Sequence, residues 1–145
     1  MTTATSRGAV RATRSSSVAV AAAGAAGVCL GFAGLQVALA AGAPLGEHVW
    51  GGTQERVLPG AMRVVAGGAA VVLTGMATVV ARRAGLIGRP SARLGPATWA
   101  IAGYLALNTI GNLASTSPVE RVAFGSATAV ASSCAAFVAY RTGRP

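Results

Sequence analysis

Four stretches of the chain are apolar over nearly their whole length: Val18–Ala41, Ala61–Ala81, Ala97–Ala114 and Pro118–Tyr140. A bilayer core about 30 Å thick needs a helix of roughly 20 mostly apolar residues, so each stretch predicts a transmembrane helix. None contains Asp, Lys or His. Their only charged residues, Arg63, Glu120 and Arg121, fall in the opening turns of the second and fourth segments, near water. The fourth start is the most sharply marked, because Ser117, Pro118 and Glu120 occupy the N-cap, N1 and N3 positions that satisfy orphan amides and suit the helix dipole. Between the segments, Gly42–Gly60 and Arg82–Pro96 carry the Gly, Pro and Arg punctuation of loops.

The expected fold is therefore an all-α membrane protein, a four-transmembrane-helix bundle. A basic tail spans residues 1–17, the helical domain 18–140 and a short tail 141–145. Arginines followed by an apolar run and Ala38-Leu39-Ala40 have the outline of a signal peptide. The run is longer than the roughly 7–15 residues of a signal h-region, so the first helix is expected to remain uncleaved.

Composition agrees with the membrane class: mean hydropathy is +0.60, and 53% of residues are hydrophobic against 10% charged. Charge placement then gives an orientation. Lys and Asp are missing, so the net charge of +9 comes from Arg set against Glu47, Glu55 and Glu120. Arg7, Arg11, Arg14, Arg82, Arg83, Arg89, Arg93, Arg141 and Arg144 fall on the two tails and the second loop. Arg56, Arg63, Arg121 and every Glu fall on the opposite side. The positive-inside rule makes the first face cytoplasmic, giving N-in, C-in and an inner-membrane location. The basic groups read as flanks of membrane spans that meet anionic lipid heads, which argues against nucleic-acid binding.

Gly24, Gly27, Gly31 and Gly34 line one face of the first helix. Small residues at this spacing let a second backbone approach closely. Packing within the chain, against Gly67, Gly68 and Gly75 of the second helix, is the first expectation; a membrane-protein partner or homo-oligomer is the alternative. Trp50, Trp99 and Tyr140 suit interfacial anchors. Cys29 and Cys134 differ in depth and read as packing residues.

The two hairpins read as a parallel repeat. Gly31-Phe32-Ala33-Gly34-Leu35-Gln36 parallels Gly103-Tyr104-Leu105-Ala106-Leu107-Asn108, and Arg63-Val64-Val65-Ala66-Gly67 parallels Arg121-Val122-Ala123-Phe124-Gly125.

Polar residues inside the spans give the candidate site. Tyr104, Asn108 and Asn112 form one stripe at i, i+4 and i+8, and Gln36 lies at the depth of Asn108. An unpaired amide in hydrocarbon costs several kcal/mol, so these side chains are expected to face the bundle interior and pair there. Arg63 and Arg121 start helices whose dipoles disfavour a cation, so each needs an anionic partner. One candidate is an outer charge clasp with Glu47, Glu55 and Glu120. The other is a small anionic ligand or lipid headgroup held over Gln36, Tyr104, Asn108 and Asn112.

Catalytic chemistry finds little support. His48 is the only histidine and lacks the ligand spacing of a metal site; no nucleophile has a positioned base, and no cofactor motif is present. A proton-coupled exporter needs an ionisable carboxylate well inside a span, and Glu120 sits at a span's mouth.

The segments GAPLGEHVWGG, RVLPGAMR and LNTIGN followed by STSPVER resemble, in that order, a group of small four-span bacterial integral membrane proteins to which no activity is attached. The resemblance runs from about Gln36 to the end. It implies four spans and an uncleaved first helix, with the first loop and the asparagine helix as the shared part. The expected function is a structural or accessory-subunit role, with anionic-ligand binding or transport as the alternative.

Overall fold

The computed structural model describes residues 3–143, with side chains from residue 16 onward. The expected inner charges Arg7, Arg11, Arg14 and Arg144 lie outside the described side chains. Four long helices follow one another: α1 (Thr3–Ala41), α2 (Gly60–Ala84), α3 (Gly95–Leu113) and α4 (Gly125–Gly143), the last entered through a π-turn at Glu120–Phe124. Among the described residues there is no strand.

α1 is helical from Thr3, and its candidate span, Ser16–Ala41, starts close to the expected Val18. Helical hydrogen bonds are local, so a polar stretch can extend a helix; an apolar run marks where lipid contact begins, not where the helix does. α2 continues past Ala81 to Ala84 and stops at Gly85, whose φ of +77° lets its N–H reach Arg82 O while Leu86 N–H reaches Ala81 O. This is the Schellman arrangement, which satisfies the last carbonyls. At the start of α4, Ser117 Oγ accepts from Glu120 N at 3.5 Å, as expected of an N-cap. The Glu120 carboxylate does not return to the Ser117 amide, however, which donates instead to Ser115 Oγ at 3.0 Å.

Three helices are long and apolar enough to cross a membrane: Ser16–Ala41, Gly60–Ala84 and Glu120–Gly143. α3 falls short by composition, because Pro96, Tyr104, Asn108 and Asn112 dilute its apolar residues.

α1 with α2 and α3 with α4 form two hairpins, joined mainly by contact between α1 and α4. The helices approach closely because the larger core cluster is mostly small: Ala22, Ala25 and Cys29 of α1 meet Ala77 of α2, Ala102 of α3 and Ala131 and Ala135 of α4. A second cluster, Leu39, Val49, Leu58 and Ala66, seats the first loop on the first hairpin.

The same contacts fix the two ends. Thr116 Oγ1 donates to Gly51 O at 2.6 Å, so the first loop and the α3–α4 link lie together. At the opposite end Arg83, expected as a flanking charge, is only 6% exposed. It donates to Ser91 O at 2.9 Å and Thr142 O at 2.8 Å, tying the second loop to the end of α4.

Candidate functional site

The first loop is shaped by backbone requirements. A Cβ on Gly46 would lie 1.8 Å from Glu55 O, and Gly46 N–H donates to Arg56 O at 2.9 Å, so only glycine lets the two strands of the loop close. Trp50 then takes a φ of +52°, a conformation bulky residues rarely hold, and Gly51 and Gly52 continue with φ of +88° and +72°. This turn brings Gly51 N–H to Glu120 Oε2 at 2.8 Å. Ser115 Oγ–H donates to the same oxygen. Glu120 is 5% exposed and sits in the π-turn, a helical irregularity common at functional sites.

Beneath Trp50 and Glu120 lies a cavity of about 150 Å³ between the four helices. α1 contributes Phe32 and Gln36, α3 contributes Tyr104, Asn108 and Asn112, and Phe124 and Thr128 complete the α4 side. A second, more open depression of about 420 Å³ shares Trp50, Tyr104, Asn108, Asn112 and Glu120 with it and leads out along α3. Phe32 and Phe124 meet edge to face at 5.1 Å, bracing α1 on α4.

Of the expected ligand residues, the structure brings Gln36, Tyr104, Asn108 and Asn112 to this cavity and leaves Arg63 and Arg121 out of its lining. Arg63 Nε donates to Ala40 O at 2.8 Å, and Arg121 Nε to Ser115 O at 3.3 Å. The Arg63 guanidinium thus sits at the C-terminal end of α1, where the exposed carbonyls and the dipole favour a cation, whereas Arg121 meets the link that follows α3. The charge clasp expected from Glu47, Glu55 and Glu120 is not assembled. Glu47 meets His48 at 3.6 Å and Arg56 at 3.9 Å on the surface. Glu55 has no ion pair within 4 Å among the described residues, and Glu120 accepts only from the neutral donors named above.

The amides do not pair with one another. Asn108 Nδ2 donates within its own helix, to Tyr104 O at 3.0 Å, while Asn112 Nδ2 reaches Thr128 Oγ1 across the second hairpin at 3.4 Å. Thr109 takes the rest of that contact, at 3.0 Å from Thr128. Gln36 Oε1 is fully shielded and has no hydrogen-bond partner. Sequence reasoning missed Trp50 as cavity wall and Gly51 as a donor; the Trp-Gly-Gly run was the available signal, because consecutive glycines permit the left-handed turn.

The glycine face behaves differently from its expected packing within the chain. A Cβ on Gly27, Gly31 or Gly34 would meet nothing within 4 Å, and Gly24 faces only Cys134 Sγ at 3.7 Å. On α2, a Cβ on Gly67 would lie 4.0 Å from Ala40 Cβ, whereas one on Gly68 or Gly75 would meet nothing within 4 Å. The face turns outward because α1 is held by α2 and α4 through its alanines and Cys29 instead.

Among the described residues the chain is all-helical, with three helices long and apolar enough to cross a membrane and an amide-lined, carboxylate-bearing cavity at one end. No protein-family model, curated protein or solved structure matches the chain.

Proposed function

We propose that this is a multi-pass protein of the bacterial inner membrane, with four spans and both tails inside, acting as an interaction subunit that docks another transmembrane helix on the glycine face of α1. The open space over Gly27, Gly31 and Gly34 carries the reading. Glycine costs helix stability, and packing within the chain does not call for it at these positions; close approach by an external helix does. The face is also self-complementary, so α1 of a second copy, parallel and related by a twofold along the membrane normal, is the simplest occupant.

Four spans are favoured by the pairing of α3 with α4. The two lie antiparallel, with Thr109 on Thr128 and Ser132 on Ala102 O, which supports reading α3 as a span beside α4. Exposed Leu107, Ile110 and Leu113 give α3 a lipid-facing side.

Native mass spectrometry in mild detergent tests the docking. Gly27→Leu/Gly31→Leu is expected to release the bound chain without altering the melting temperature, since both side chains enter open space. Retention of every associated protein by this variant contradicts the reading.

A further inference from the structure

We infer that the cavity under Trp50 binds a compact organic cation carrying N–H donors, an alkylammonium or a guanidinium compound. Among the described residues, the Glu120 carboxylate is the one charged group on its wall. Both hydrogen bonds to the Glu120 carboxylate go to Oε2, and among the described residues Oε1 accepts none. Those two donors, a backbone amide and a hydroxyl, are neutral, and a buried carboxylate without a countercharge is costly. The cation adjacent in sequence, Arg121, donates to Ser115 O instead. No Arg or His lines the cavity.

The walls suit the same guest. Trp50, Tyr104, Phe32 and Phe124 line the cavity, and aromatic rings attract ammonium and guanidinium groups. A volume of about 150 Å³ matches a guest the size of benzene, which a cavity of about that volume accommodates. The more open depression along α3, sharing Trp50, Tyr104 and Glu120, supplies the way in. An anion meets the opposite conditions: a carboxylate and, among the described lining residues, no positive side chain. The inference stands independently of helix docking on α1.

The test uses the full chain in detergent with Trp99→Phe, leaving Trp50 as the only tryptophan, and follows its fluorescence during titration with methylguanidinium, propylammonium and propionate. The expected result is a saturable response to at least one cation and none to propionate. Its midpoint should weaken tenfold or more in Glu120→Gln, which still accepts from Gly51 and Ser115. Protein that saturates with neither cation, or with propionate equally well, overturns the inference. So does unchanged affinity in Glu120→Gln. Should Glu120→Gln fail to fold, the selectivity for cation over propionate still decides.

Discussion

Arg63 reaches back across the first hairpin to donate its Nε hydrogen to Ala40 O at 2.8 Å, so the second helix caps the first. Arg121 repeats the move in the second hairpin, toward Ser115 O at 3.3 Å. The shorter bond belongs to the less exposed guanidinium. Arg63→Gln is therefore expected to lower unfolding stability by about 1–3 kcal/mol, the range for a hydrogen bond from a charged group. Arg121→Gln should cost clearly less. Thermal unfolding of both variants in one detergent checks the order, and equal losses would contradict it.

Gly46 is the tightest point of the first loop, with Glu55 O where its side chain would stand. Gly46→Ala should open the loop and destabilise the protein by about 1–3 kcal/mol, as overpacking does. Gly68→Ala, where nothing lies within 4 Å, should be neutral or slightly stabilising. Circular-dichroism melts of the pair measure the contrast.

At the other end, Arg83 joins the second loop to the last turn of α4 while Arg82 beside it is exposed. Removing the buried guanidinium leaves two carbonyls without their donor. Arg83→Ala should raise amide exchange around Ser91 and near Thr142 together, and Arg82→Ala should raise neither. Hydrogen-exchange mass spectrometry reads both regions in one experiment.

Charge asymmetry predicts the sidedness of these two ends. In a Cys29→Ser/Cys134→Ser background, Glu47→Cys should react with an impermeant thiol reagent in intact cells, and Ser91→Cys only after the membrane is opened. The reverse pattern would contradict the N-in, C-in topology.

Much of the fold was legible because apolar length is a one-dimensional signal. The ends of α2 and α3 fall within a few residues of their apolar runs, and Ser117 caps α4 as its sequence implies. The extension of α1 back to Thr3 was not legible, since helix continues through polar residues without changing the apolar pattern. The site was half legible. Polar residues stand out in apolar spans, so Gln36, Tyr104, Asn108 and Asn112 could be singled out, and they meet at one cavity. Partner choice is three-dimensional: the sequence does not state that Ala40 O lies within reach of Arg63, or that Gly51 N–H arrives at Glu120. The outward turn of the glycine face was hidden for the same reason, because periodicity assigns residues to a face but not the face to a neighbour.

Photo-crosslinking in the native membrane tests the glycine face most directly. A benzophenone side chain replacing Leu30, which is exposed between Gly27 and Gly31, should give one discrete protein adduct; the same group replacing exposed Ile110 on α3 should give none. A discrete adduct from position 30 alone is the predicted result. No adduct there, or the same adduct from both positions, would contradict the assignment of α1 as the docking helix.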